Sequence, residues 1–260
     1  MNILFIADIM GEPGRRVVEK RLPLLREKHS IGFIIANCEN AAGGFGITPK
    51  VAQDLLSFGI DALTSGNHIW DKKEIVEYID RGDRLIRPAN FPPGAPGPGS
   101  AVYESESGVK IGVLNLMGRV FMVNLDCPFR RAKEEAEKLK GRGADIIIVD
   151  FHAEATSEKI ALARHIDGTV AAVLGTHTHV QTADEKILPK GTAYITDAGM
   201  TGPHDSVIGV TPELAINRFL TQMPVRFDTA KGPGTLQGVV ISADPYTGLA
   251  TGIERISIAE

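Results

Sequence analysis

Cysteine is scarce. Only Cys38 and Cys127 occur in 260 residues, too few for a disulfide framework. The expected setting is a reducing one, the cytoplasm. No apolar run approaches the ~20 residues that a membrane-spanning helix requires. The chain opens Met1-Asn2-Ile3-Leu4-Phe5-Ile6-Ala7-Asp8, directly into a strand-like run. It lacks the basic region, apolar core and cleavage site of a secretory leader. Basic charge is not in excess: the formal net charge is −4. That removes the general electrostatic case for binding RNA or DNA along its backbone. Neither a fixed-period repeat nor a charged tail is present. What remains is 43% hydrophobic and 23% charged, the balance of a globular chain. Its length suits one large α/β domain over 1–260.

Short β-rich runs alternate with amphipathic segments, the pattern of an α/β fold. Helices are expected over Pro13–Lys28, with a kink or restart at Pro23, and from Thr48-Pro49 through Phe58, with Thr48 as cap. Others are expected over Lys72–Ile79, Arg130–Lys140, Thr156–His165 capped by Thr156, and Pro212–Leu220 capped by Thr211. Ala101–Glu106 and Val109–Leu116 read as a hairpin, and Gly238–Ala243 with Leu249–Ile258 as a second antiparallel pair. Arg87 to Ser100 holds five prolines and three glycines. It fits neither helix nor central strand and reads as an ordered surface loop, or as a rim or subunit contact near the site.

Five apolar runs end in metal-capable side chains. Ile3–Ala7 leads to Asp8, Phe33–Ala36 to Glu39 and Asn40, and Asp61–Thr64 to Asn67 and His68. Asp145–Asp150 leads to His152, and Val170–Leu174 to Gly175-Thr176-His177-Thr178-His179. The pattern points to one shared site. Asp8, Glu39, Asn40, Asn67, His152, His177 and His179 form a mixed oxygen and nitrogen set. It is too rich in imidazole for calcium and suits iron, manganese or zinc. Seven ligands exceed the need of one tetrahedral zinc and fit two ions sharing a carboxylate. Two ions ~3.5–4 Å apart activate a bridging hydroxide and clamp the oxygens of an in-line phosphoryl displacement. His68 follows Asn67 after Gly66, where a turn leaves its ring beside the substrate. An imidazole titrates near neutrality and can protonate a departing alkoxide.

Other residues have plainer readings. Gly43 and Gly44, in Gly43-Gly44-Phe45-Gly46, either bring amides toward a phosphate or form a turn. His204 is a weaker pocket candidate. Cys38 reads as a small buried group beside the site. His29 and His165 lie at helix ends, where a solvated imidazole needs no further role.

Gly66-Asn67-His68 and Gly175-Thr176-His177-Thr178-His179 resemble the Gly-Asn-His and Gly-His-x-His blocks of calcineurin-like metallophosphoesterases. Asp8-Ile9-Met10-Gly11 replaces the usual Asp-x-His, and Asn37-Cys38-Glu39-Asn40-Ala41 the usual Gly-Asp. Both departures, with Thr196-Asp197-Ala198-Gly199-Met200-Thr201-Gly202, are similar to the YmdB-type bacterial branch. The resemblance covers nearly the whole chain. It implies a four-layer α/β/β/α sandwich with a dimetal site at the strand C-terminal ends. It implies two metal ions, iron foremost, with manganese, zinc or magnesium as alternatives, and hydrolysis of 2′,3′-cyclic nucleotides. Asp8, Glu39, Asn40 and His179 would hold one ion, and Glu39, Asn67, His152 and His177 the other, with His68 as general acid. It also implies a homo-oligomer, dimer or tetramer. Within the same superfamily the alternative is a phosphomonoesterase or a nuclease. A rival of another class is a nucleotide- or RNA-binding regulator with a sensory metal site. The completeness of the ligand set argues against it.

Overall fold

The computed structural model describes residues 1–82 and 84–260. The first part of the chain alternates β1 (Asn2–Ile6), β2 (Asp8–Ile9), α1 (Gly11–Lys28), β3 (Ile31–Asn37), α2 (Pro49–Ser57), β4 (Ala62–Thr64) and α3 (Ile75–Arg81). The middle holds β5 (Ser100–Glu104), β6 (Lys110–Met117), α4 (Pro128–Gly141), β7 (Ile146–His152), α5 (Thr156–His165) and β8 (Ala172–Thr176). There follow β9 (Lys186–Ile187), β10 (Ala193–Ile195), β11 (Met200–Pro203), α6 (Pro212–Thr221), β12 (Gly234–Asp244) and β13 (Leu249–Ala259).

These strands make two mixed sheets. The first runs β2-β11-β12-β1-β3-β4, with β13 paired to β12; the second runs β5-β6-β7-β8-β10-β9. Within the first, β1, β3 and β4 are parallel and β12 is antiparallel to β1. Within the second, β6, β7, β8 and β10 are parallel, flanked by antiparallel β5 and β9.

The near-continuous apolar character of β1 and β3 follows from burial on both faces. Ile3, Phe5, Phe33 and Ile35 meet Val113, Ile148, Leu174 and Ile195 of the second sheet. The alternate residues Leu4, Ile6, Ile34 and Ala36 pack instead with Val18 and Leu22 of α1, Leu55 of α2 and Ile79 of α3. A third cluster joins Leu116, Val149 and Phe151 to Ala132 and Leu139 of α4 and Leu162 of α5.

The expected hairpins form, as β5–β6 and β12–β13. Thr48 caps α2, its hydroxyl accepting the Val51 amide at 3.2 Å. Other expectations need correction. Helix α1 runs through Pro23 without a restart, and α3 begins at Ile75, three residues after the expected start. Thr156 is already helical, with Ala155 in the cap position. Thr211 occupies the cap of α6, but its hydroxyl donates to the Asp228 carbonyl rather than serving the helix. His165 is exposed, whereas the His29 side chain is only 13% exposed where it closes α1. Among the described residues no helix is long and apolar enough to cross a membrane.

Candidate metal centre

Parallel strands of both sheets deliver the candidate ligands from their C-terminal ends. Asp8 follows β1, Glu39 and Asn40 follow β3, and Asn67 and His68 follow β4. His152 is the last residue of β7, and His177 and His179 follow β8. The last two pay in backbone strain. His177 has φ +99° and His179 φ +62°, conformations that cost about 1–3 kcal/mol each for a residue with a Cβ. Fixed partners hold them there. The Thr178 amide and hydroxyl donate to Asp197 Oδ2 at 3.0 and 2.7 Å. The Lys159 ammonium donates to the same oxygen at 2.8 Å, and that ion pair is fully buried.

The side chains converge. Ligand atoms of Asp8, Glu39 and His152 lie within 4.8 Å of one another. His152 Nε2 is 2.6 Å from Glu39 Oε2, 3.0 Å from His177 Nδ1 and 3.1 Å from Asn67 Oδ1. One ring nitrogen cannot serve three polar atoms with a single proton. His179 Nε2 is 3.7 Å from Asp8 Oδ1 and 3.2 Å from Asn40 Nδ2. Ligation through Asn40 needs its amide rotated by half a turn, which brings the oxygen to that position.

The chemistry of the donors fits divalent ions. Each carboxylate has one oxygen held by a backbone amide and one turned into the cluster. Asp8 Oδ2 accepts the His177 amide at 3.2 Å, and Glu39 Oε1 accepts the His68 amide at 2.8 Å. Asp8 Oδ1 and Glu39 Oε2 are buried, with no directed hydrogen bond among the described residues. Buried carboxylate oxygens need a cation or a donor beside them, and here, among the described residues, imidazole nitrogens are all that face them. The histidines are arranged in the complementary way. His179 Nδ1 donates to the Ile208 carbonyl at 2.8 Å. His152 Nδ1 donates to Thr176 Oγ1 at 3.0 Å, and that hydroxyl donates to Asp150 Oδ1 at 2.7 Å. His177 Nε2 faces Glu154 Oε2 at 3.3 Å. In each ring the outer nitrogen faces a carbonyl, hydroxyl or carboxylate oxygen and the other is turned to the cluster, as in metal-bound imidazole.

Electrostatics bear the same stamp. Burial opposes ionisation of Asp8 and Glu39, but contact with His179 for the first and the charge of His152 for the second hold both below the usual carboxylate range. Burial disfavours the His152 cation, yet Glu39, Asp8 and Asp150 raise it to about 9. Burial and then the neighbouring His152 lower His177 to about 4. Asp150 is pushed up to about 7 by burial, against the pull of His152 and of hydroxyls from Thr64 and Thr176.

The cavity is also shaped by absence. A Cβ on Gly66 would sit 1.9 Å from Glu39 Oε2 and 2.4 Å from His152 Nε2. Only glycine leaves the donors room to meet.

His68 stands at the rim, 31% exposed, with Nδ1 2.8 Å from Asp71 Oδ2 and its ring edge-on to Phe45 at 5.1 Å. Gly43 and Gly44 lie in the turn after Glu39 at φ +75° and +99°. The Gly44 amide is engaged by the Asn40 carbonyl at 3.1 Å. His204 is exposed, and its amide bonds the Pro233 carbonyl. Cys38 is fully buried, its thiol donating to the Thr64 carbonyl. The 87–100 segment is an ordered loop whose centre is Arg87, donating to the carbonyls of Pro88, Ala95 and Pro96.

A sequence profile described as "YmdB-like protein" matches residues 4–256. The chain belongs to the YmdB-like family. This YmdB-like chain is 53% identical over 258 residues to a Bacillus subtilis protein named 2′,3′-cyclic-nucleotide 2′-phosphodiesterase, covering 99% of this chain and 97% of that one. It superimposes on a Mycoplasma pneumoniae structure titled a novel phosphatase with a TM-score of 0.93 and 37% identity, covering 100% of this chain and 93% of the other. A Thermus thermophilus 5′-nucleotidase precursor shares the fold at a TM-score of 0.61 and 13% identity, over 99% of this chain and 54% of that one.

Several supporting residues escaped the motif reading. Asp150 is a carboxylate ending an apolar run two residues before His152, and that placement on the same strand face was the available signal. Asp71, three residues after His68, is in helical reach. Glu154 and Lys159 carried no local signal, and Asp197 stood inside the Thr196–Gly202 motif with no role assigned to it.

Proposed function

We propose that this YmdB-like chain is a dinuclear-metal phosphodiesterase that opens 2′,3′-cyclic nucleotides. The observation that carries the reading is the pair of buried carboxylate oxygens, Asp8 Oδ1 and Glu39 Oε2, that converge with the ring nitrogens of His152, His177 and His179 on one point. The similarity to the named Bacillus subtilis enzyme supports the substrate class. Asp8, Glu39, Asn40 and His179 would hold one ion, and Glu39, Asn67, His152 and His177 the other. Carboxylate, amide and imidazole donors accept iron, manganese, zinc or magnesium, and the resemblance to the YmdB-type branch favours iron. Bound there, the ions supply Lewis-acid stabilisation of the phosphate and activation of water. The three buried clusters support a four-layer α/β/β/α sandwich in one domain, with the metals at the strand ends.

The chain's own residues supply orientation and the proton. Asp150 and Thr176 fix the His152 ring, and Lys159 with Asp197 fixes the 177–179 turn. His68 is anchored at its amide by Glu39 and at Nδ1 by Asp71. Its Nε2 is then the atom that protonates the departing ribose oxygen. A His68→Ala protein is expected to keep its full metal content while kcat on 2′,3′-cyclic AMP falls about 10²–10⁴-fold. Full activity in that variant overturns the acid assignment. A substrate panel of 2′,3′-cyclic AMP, 3′,5′-cyclic AMP and adenosine monophosphate tests the wider reading. Preference for the monophosphate points to a phosphomonoesterase, and binding without turnover to a regulator.

A further inference from the structure

The segment joining β6 to α4 is built with unusual care for a surface loop. Asn90 staples its two ends. The Asn90 Nδ2 donates to the Met117 carbonyl at 2.8 Å and the Asp126 carbonyl at 3.0 Å. The Met117 amide donates back to Asn90 Oδ1 at 2.9 Å, and the Asp126 amide to the Asn90 carbonyl at 3.1 Å. The buried Glu158 carboxylate accepts the amides of Arg119 at 3.1 Å and Val120 at 3.2 Å. Gly118 is pressed so closely that a Cβ would lie 2.6 Å from both Ala153 Cβ and Glu158 Oε2. Met122 packs against the cluster shared with α4 and α5.

This rigid base presents apolar groups to solvent. Phe121 is 90% exposed and sits at φ +61°, with Val120 and Val123 at 43% and 54% exposure. Strain spent on holding an aromatic ring in water is a mark of function rather than of packing. The position is informative as well. Phe121, Met122 and Val123 line a cavity of about 280 Å³ whose other walls are Asn67 and His177, two of the candidate metal ligands.

We propose that Phe121 is the stacking platform for the nucleobase of the substrate, with Met122 and Val123 completing the apolar wall. The inference rests on the cyclic-nucleotide reading and adds the part of the site that recognises the base. The polar side chains of the cavity, Asn67 and His177, belong to the phosphate end, and the loop lines it with apolar side chains. The wall reads the face of a base and not its edge, so it tolerates all four bases, with purines favoured by their larger face. Base–aromatic stacking is worth about 1–3 kcal/mol, which corresponds to roughly five- to 150-fold in binding.

The test compares metal-loaded wild type with Phe121→Ala and Phe121→Trp on 2′,3′-cyclic AMP and on glycerol 1,2-cyclic phosphate, a five-membered cyclic diester without a base. Light scattering is recorded on each protein. Expected in Phe121→Ala is a fall of about tenfold in the ratio of kcat/KM for the nucleotide over the base-free diester, carried mainly by KM. Phe121→Trp is expected to restore it. An unchanged ratio overturns the proposal. A loss that instead tracks dissociation of an oligomer overturns it in favour of a subunit contact at Phe121. Wild type that opens the base-free diester but no cyclic nucleotide refutes the underlying reading as well, and is told apart from the other failures by needing no variant.

Discussion

Replacing Gly66 by alanine is expected to empty the metal centre. The new methyl group would lie 1.9 Å from Glu39 Oε2 and 2.3 Å from His152 Cδ2. Gly66 is not at positive φ, so the requirement is space and not backbone freedom. The clash falls on the two side chains that approach each other most closely, at 2.6 Å. Relief requires either to swing away or β4 to retreat from β3. Changes to groups that merely support a ligand cost about 10–100-fold in metal affinity or activity. A change that displaces two ligands is expected to exceed the upper figure. Overpacking adds about 1–3 kcal/mol of instability, small enough to leave a folded protein for measurement. Metal content after purification, read beside a thermal melt, checks the expectation. A folded Gly66→Ala protein with full metal occupancy would show that the donors do not converge through this gap.

The second large effect concerns stability. Lys159→Met leaves Asp197 as an uncompensated buried charge. Both members of the pair are fully shielded from water, and breaking such a pair from one side costs about 3–5 kcal/mol. For a chain of this size the melting temperature is expected to fall by on the order of 10 °C. A double variant, Lys159→Met with Asp197→Leu, separates two roles. Removing both charges is expected to recover part of the lost stability, since isosteric apolar pairs often replace buried ion pairs well. It also removes the acceptor of the Thr178 amide and hydroxyl. The His177 and His179 backbone would then relax, and metal affinity stays low while the melt improves. Melting temperature and metal affinity that recover together would show that Asp197 does not position the histidine turn.

The legible and illegible parts of this molecule differ in how far the deciding interactions reach along the chain. Apolar runs ending in Asp8, Glu39, Asn67, His152 and His177 were readable because strand burial and strand termination are local. The parallel sheets then bring those ends together. The caps were less legible. Thr211 found a carbonyl partner 17 residues away in sequence, and Thr156 was drawn into the first turn of α5. Pro23 leaves α1 unbroken. Hydrogen-bond partners of the ligands were hidden for the same reason. Asp150 touches Asn37 and Thr64 across 113 and 86 residues, and Lys159 meets Asp197 across 38. Phe121 shows nothing special in sequence. Its exposure, its positive φ, the staple by Asn90 and the cavity shared with Asn67 and His177 single it out.

The most direct measurement is a metal titration of chelator-stripped protein, followed by the rate of 2′,3′-cyclic AMP opening. The expected curve starts near zero and rises to a plateau at two equivalents of iron(II) or manganese(II) per chain. Stripped protein that is already fully active, or reloaded protein that leaves the cyclic nucleotide intact, would contradict the account.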